Sequence, residues 1–238
     1  MNPLTRRSFV SQAAAGIAAL GVAADAPGRA QAQLVWKGSE WKLAEFNQLV
    51  NDAAGVKQVY DVGQIGGGKF LNNIKNSLNG LRFGFDVPGE QIKVVAALHG
   101  PANMINYKDA VWSKYKVGEW LGIADPATGK PAERNIFYAS KHPVDEAAYA
   151  KNPNDESSIY QDAGVQTLQA RGVQFLSCHT ALEEQARVLA KRNALTQAPE
   201  EIVHDMLSNA LPGVLVVASM VAAIALLQAH GRYTYITV

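Results

Sequence analysis

The sequence predicts an α/β domain of three layers, in which a mainly parallel five-stranded sheet carries helices on both faces. Three observations predict it. Apolar runs of strand length alternate with longer segments of helical spacing. One of them, Ile92–Leu98, is apolar almost without interruption, the pattern of a strand covered on both faces. The 238 residues are 48% hydrophobic and 18% charged, which is too apolar for disorder and enough for the core of one ordinary domain.

Taken in order, residues 33–55 read as a lead-in with a short helix, whose apolar face is Trp41, Phe46, Leu49 and Val50. Val56–Val62 is a strand ended by Gly63. Residues 70–81 place Phe70, Leu71, Ile74, Leu78 and Leu81 at helical spacing. After the strand Ile92–Leu98, helix-compatible sequence carries Ala110, Val111, Trp112, Tyr115, Trp120 and Leu121. Residues 123–158 hold Pro126, Gly129, Pro131, Pro143 and Pro153 among polar residues, so an irregular insertion is expected, either a solvated loop or a lid. Residues 158–171 look helical and 173–177 form a third strand. Thr180 and Glu183 suggest a capping box for a helix over 180–192, with Leu182, Ala186, Leu189 and Ala190 as its buried stripe. Pro199 and an acidic first turn open another helix over 200–210. The apolar stretch 211–227 has the length of a membrane span, but Pro212-Gly213 and the β-like run 214–217 divide it into strand, turn and a helix over 220–228. Residues 233–238 supply a last strand. Five strands with intervening helices and right-handed crossovers are flavodoxin-like in class.

The first residues point to export. Thr5-Arg6-Arg7-Ser8-Phe9-Val10 is followed by a soft Ala- and Gly-rich stretch and by the small-x-small site Ala30-Gln31-Ala32. This order is that of a secretory signal, and the paired arginines with low hydrophobicity indicate the twin-arginine route. The expected organisation is a signal over 1–32, a lead-in over 33–55 and an α/β domain over 56–238, with periplasmic localisation and no stable membrane insertion after cleavage. Arg6, Arg7, Arg29 and Asp25 fall in the signal, so the remainder holds 19 basic against 20 acidic residues. No basic field remains to hold a nucleic acid. Trp112, Tyr115 and Trp120, near Lys114 and Lys116, accordingly suit a packed helix face better than a nucleic-acid surface. The lone cysteine, Cys178, excludes an internal disulfide.

Sites in open parallel sheets gather at the carboxyl ends of the strands. Those ends carry Gly63-Gln64, His99-Gly100, Cys178-His179 and Ser219. Cys178 lies between a strand and a helix N-terminus, whose partial positive charge and free N–H groups stabilise a thiolate, the reactive form in persulfide chemistry. An inert buried cysteine is the plain alternative. His99 and His179 are candidate bases or thiolate partners. A metal site of Cys178 with both histidines matches no standard zinc spacing, and no cofactor or metal is expected. Gly63-Gln64-Ile65-Gly66-Gly67-Gly68-Lys69 fits G-x-x-x-x-G-K between strand and helix. Phe70 replaces the Ser or Thr that would hold magnesium, so the glycines read as a strand-to-helix turn, with a backbone anion site as the alternative.

Several segments together resemble the DsrE/DsrF-like (DsrEFH-like) family. They are Val94-Val95-Ala96-Ala97-Leu98-His99-Gly100, Arg171-Gly172-Val173-Gln174-Phe175-Leu176-Ser177-Cys178 with Ala181-Leu182, and Leu211-Pro212-Gly213-Val214-Leu215-Val216-Val217 with Ala222 to Gln228, Gly231 and Tyr233. The resemblance covers about 56–238 without the polar insertion. It implies an α/β sandwich, often assembled into oligomers, and in sulfur-relay members a persulfide-carrying cysteine at the place of Cys178. His179 departs from the glycine that often follows that cysteine, and the export signal removes the chain from cytosolic relay partners. The expectation is an exported sulfur carrier acting through Cys178, His99 and His179 with a protein sulfur donor or acceptor. A non-catalytic binding or assembly module, or a metal or anion binder at the same edge, are the alternatives.

Overall fold

Parallel pairing sets the architecture. β1 (Val56–Val62), β2 (Ile92–Leu98), β3 (Gln174–Cys178), β4 (Leu215–Val217) and β5 (Thr234–Thr237) form one sheet in the order β4-β3-β2-β1-β5, and every neighbouring pair is parallel. This is the expected three-layer α/β class, with a strand order distinct from the 2-1-3-4-5 of flavodoxin itself. The computed structural model describes residues 35–139, 141 and 152–238, which belong to one compact unit. The signal expected over 1–32 lies outside the described residues, as do position 140 and positions 142–151 of the polar insertion.

The helices are α1 (Leu43–Val50), α2 (Lys69–Asn79), α3 (Asp109–Lys114), α4 (Val117–Leu121), α5 (Val165–Ala170), α6 (His179–Arg192), α7 (Pro199–Ser208) and α8 (Met220–Ala229). Side chains along a strand alternate between faces, so the central strands feed two cores. Tyr60, Val62, Val94, Ala96, Leu98 and Phe175 enter the larger one, beneath Ile74 of α2, Leu182 of α6 and Ile202 of α7. Val59, Val95, Ala97, Leu176, Leu215 and Val217 enter the smaller one, beneath Phe46 and Leu49 of α1 and Ala223 and Leu227 of α8.

This division fixes the route of the chain. From β1 to β4 each strand is laid beside the last, with the connecting helices over the larger core. From β4 the chain crosses the whole sheet through α8, on the opposite face, to set β5 beside β1. The chain therefore leaves β3 toward one face and β4 toward the other. That divergence is a topological switch point, where open α/β sheets place ligands.

Local physics accounts for where the elements depart from expectation. The stretch 158–171 is broken into a 3₁₀ turn, Ile159–Gln161, and α5. Asp162 interrupts it by accepting the Gly164 N–H at 2.8 Å and the Thr167 hydroxyl at 2.8 Å, the local side-chain bonding that competes with helix. The apolar stretch 211–227 is divided as expected into β4, a turn and α8. Among the described residues no helix is long and apolar enough to cross a membrane.

The first part of the polar insertion is irregular yet packed. Asn135 donates its amide to the carbonyls of Ile105 at 2.7 Å and Tyr107 at 2.8 Å, and Asp125 holds Arg134 at 2.7 Å. Between them Ala132 is buried against α4 at Gly118, where a Cβ would stand 2.3 Å from the Ala132 oxygen. Gly118→Ala must therefore push this segment away from α4. The expected cost is about 2–3 kcal/mol, by the usual penalty of overpacking, read as a lower urea midpoint at unchanged slope.

Candidate functional site

β3 runs into α6 without a loop, and Cys178 is at once the last strand residue and the N-cap of the helix. The capping box expected from Thr180 and Glu183 does not form. The helix begins one residue earlier, so the sulfur takes the capping role: Cys178 Sγ accepts the Ala181 N–H at 3.4 Å. Thr180 is left free to donate its hydroxyl to the Ala218 carbonyl at 2.9 Å, tying α6 to the β4–α8 turn. The same turn brings up the first residue of α8, and the Met220 N–H also points to Sγ at 3.4 Å. Two helices that depart to opposite faces thus converge their N-termini on one sulfur, each contributing an N–H and the positive end of its dipole.

The backbone of Cys178 is held as firmly. Asn103, wholly buried in the 3₁₀ segment Gly100–Asn106 that follows β2, accepts the Cys178 N–H at 3.0 Å and donates to the Cys178 carbonyl at 3.3 Å. Its side-chain amide stands in for a neighbouring strand just where β3 runs past its last pairing with β2, Leu98 with Ser177. Ser177 donates to the same Asn103 oxygen at 2.8 Å and meets the Tyr107 hydroxyl at 2.7 Å, while Asn103 also donates to Gln185 at 3.1 Å. The thiol itself is 5% exposed and packs with Ala181, Val217 and Met220 in the smaller core. It is buried at the carboxyl end of β3.

The two histidines have different surroundings. His99, just past β2, places Nε2 2.7 Å from Asp61 Oδ1, and its side chain is one third exposed. Tyr235 of β5 donates its hydroxyl to the other carboxylate oxygen of Asp61 at 2.5 Å. His179 is 2% exposed, its ring stacks on Trp36 at 3.7 Å, its Nδ1 has no partner, and its Nε2 is 3.8 Å from Glu183. Burial pushes the His179 pKa down to about 4 and raises that of the Glu183 carboxyl, which Arg187 holds at 3.1 Å. Ser219 precedes α8 as its N-cap residue without a side-chain capping bond. Among the described residues no three His, Cys, Asp or Glu side chains gather as a metal-ligand set.

The glycine-rich turn lies at the same edge, over the larger core. Gly66, Gly67 and Gly68 all have left-handed φ, and at Gly68 the ring of Phe137 comes so close that a Cβ would stand 2.9 Å from it. Beyond this turn a cleft of about 570 Å³ is bounded by Gln64, Gly66, Gly67, Pro101, Trp120, Ile123, Ile136 and Phe137. Of the aromatic residues considered in the sequence, Trp112 and Tyr115 are fully buried, and Trp120 lines this cleft.

Asp61 and Tyr235 were not among the sequence candidates. Asp61 reads there as one polar residue of an alternating strand, and nothing marks it as a partner of a tyrosine 174 positions later. The chain matches no family model, no curated protein and no solved structure.

The buried imidazole has a consequence for stability. The unfolded chain protonates His179 near pH 6.5, whereas the folded protein keeps it neutral down to about pH 4. Between these values the unfolded state binds the extra proton, so stability falls as pH falls through that window. The full contribution is on the order of 3 kcal/mol at 1.36 kcal/mol per pKa unit. Glu183, shifted upward, works in the opposite sense and offsets part of it. His179→Gln is expected to flatten this acid-side loss, measured as urea midpoints of both proteins at pH 7 and pH 4.5.

Proposed function

We propose that the protein is an exported, DsrE-like sulfur carrier that holds sulfur as a persulfide on Cys178. The observation that carries this reading is the convergence of two helix N-termini on Sγ, with N–H groups of Ala181 and Met220 at 3.4 Å. Amide donors and helix dipoles favour anionic sulfur, and thiolate and persulfide anion are the two forms a carrier alternates between. The single cysteine suits a carrier, which accepts and donates one sulfur atom without an internal disulfide. The paired arginines and the small-residue cleavage site support the twin-arginine route and a periplasmic donor or acceptor protein. Of the two histidines, His99 is the more open to solvent and so the better placed to exchange protons with a substrate. His179 supports the site by its stacking on Trp36. Because the sulfur is buried, the reading requires that a donor displace the residues packed over it.

Purified mature protein exposed to a low-molecular-weight persulfide is expected to gain one sulfur atom, about 32 Da, in a form lost on reduction. Cys178→Ser is expected to gain none. Intact-mass spectrometry with and without prior alkylation decides it, and a wild-type protein that acquires no sulfur ends this reading.

The cleft over the larger core favours a second reading, a small-molecule binding module. Its volume of about 570 Å³ is that of ordinary ligand sites, and Trp120, Ile123, Ile136 and Phe137 give it apolar side chains beside the polar Gln64. Under this reading small aromatic compounds shift the amide signals of Gly66 and Gly67 and the Trp120 indole signal in ¹⁵N spectra. Ile136→Glu abolishes those shifts and Cys178→Ser preserves them. Shifts that vanish with Cys178→Ser count against an independent pocket.

A further inference from the structure

The cluster of Asp61, His99 and Tyr235 draws on three strands and is not needed to hold Cys178 in place. We infer that Asp61, anchored by Tyr235, is a positioning residue that fixes His99 as the proton donor to the leaving sulfur during transfer to Cys178. The inference rests on the persulfide reading above.

The geometry assigns each atom a task. A carboxylate only accepts hydrogen bonds, so the 2.7 Å contact to Asp61 Oδ1 requires the proton to be on His99 Nε2. The second oxygen takes the Tyr235 hydroxyl at 2.5 Å, so both oxygens of Asp61 are engaged and the carboxylate cannot rotate away. Asp61 lies in β1 between β2 and β5, paired with Ala97 and Thr237, and the sheet fixes its position. One imidazole nitrogen, Nδ1, is left without a protein partner among the described residues, on a side chain one third exposed. Fixing one nitrogen to define the role of the other is how an acidic partner makes a histidine an efficient proton carrier.

His99 is also in the right place. Leu98 pairs with Ser177 across β2 and β3, so His99 and Cys178 are the next residues of neighbouring strands. The bond to Asp61, which alternates with the larger-core residues Tyr60 and Val62, puts the imidazole on the smaller-core face, and Cys178 packs on that face too. The Asn103 amide occupies the backbone edge of Cys178 there, and Sγ takes its bonds from Ala181 and Met220. Sγ and the imidazole share no hydrogen bond. The imidazole is therefore matched to a group arriving between them and not to Sγ itself.

The step balances. The Cys178 thiol loses its proton to solvent, Nδ1 of His99 takes one up from solvent, and the thiolate attacks the terminal sulfur of a donor persulfide, R–S–SH. A sulfur–sulfur bond forms on Sγ and the donor's sulfur–sulfur bond breaks. Its electron pair leaves on R–S⁻, which takes the proton from Nδ1 to become R–SH. Sulfane sulfur is exchanged between two thiols, and no external oxidant or reductant is needed.

Leaving-group dependence tests the role. A basic alkyl thiol needs the proton as it departs, whereas an acidic aryl thiol departs readily as the anion. Initial rates of sulfur uptake are measured with glutathione persulfide and with 4-nitrobenzenethiol persulfide, on variants with native circular dichroism and urea midpoint. His99→Gln and Asp61→Asn are expected to slow uptake from the glutathione donor by about tenfold or more, the scale of general acid catalysis, and from the aryl donor by less than about twofold. Tyr235→Phe should show the same pattern more weakly. Equal slowing with both donors assigns these residues a merely structural role and overturns the inference, as does no slowing with either. A wild-type protein that takes sulfur from neither donor refutes the persulfide reading itself.

Discussion

Four hydrogen bonds meet at Cys178: its backbone donates to and accepts from Asn103, and its sulfur accepts from Ala181 and Met220. Their common origin is the route of the chain. Where successive connections of a parallel sheet change face, two helices must start from adjacent strand ends, and their unsatisfied N–H groups face a shared crevice. Here the crevice lies between β3 and β4, and a cysteine caps one helix while accepting from the other. A serine at this position could accept the same N–H groups, but with a shorter reach. Sulfur accepts at longer distance, and 3.4 Å to both donors is a spacing that suits it. The same constraint explains Asn103. β3 outruns its pairing with β2, and a side-chain amide supplies the donor and acceptor that the missing strand residue would have given. Each such bond contributes about 1 kcal/mol net, whereas leaving the buried partner unmet costs more, so the network resists partial loosening.

The two faces of the sheet differ in what they offer. Over the larger core, helices cover the strands along most of their length and leave a cleft only at the rim, around the glycine-rich turn. Over the smaller core, α1 and α8 cover less, and near the rim that face turns from aliphatic to polar. The row that includes Val59, Val95 and Leu176 gives way at the rim to Asp61, His99 and Cys178, with Tyr235 alongside. Such groups are tolerated because they are paired with one another or partly exposed. Ionisable side chains and the cleft thus occupy the same edge of the sheet on opposite faces.

The fold was largely legible because its signals are local. Val56–Val62 and Ile92–Leu98 are runs of strand length bounded by turn residues, and both are strands over those residues. The division of the 211–227 stretch followed from Pro212-Gly213, which no single long helix would accommodate. Legibility failed where two local signals competed. Thr180 and Glu183 have the spacing of a capping box, but Cys178 reaches the N-cap first, and no side-chain pattern announces a strand that enters a helix directly. It failed as well where a contact depends on register. Cys178 and His99 could be found by reading strand ends, because the rule concerns ends. Asp61 lies within a strand, and its tyrosine partner reaches it only because β5 returns to the far side of β1.

His99 and His179 show why position at the rim alone does not assign a role. Both follow a strand end and both have an acidic neighbour. Asp61 accepts from His99 at 2.7 Å, within hydrogen-bonding distance, while Glu183 stands 3.8 Å from His179 and is held by Arg187 instead. A carboxylate that does not bond the ring cannot offset the cost of charging it once it is buried, so burial prevails and His179 stays neutral down to about pH 4. Its ring is instead a flat surface against which Trp36 stacks, bringing the lead-in segment across the start of α6 beside the thiol. His99 keeps both access to solvent and a bonded carboxylate. One histidine is therefore buried and stacked and the other half-buried and carboxylate-bonded, and the difference lies in whether the nearby carboxylate bonds the ring.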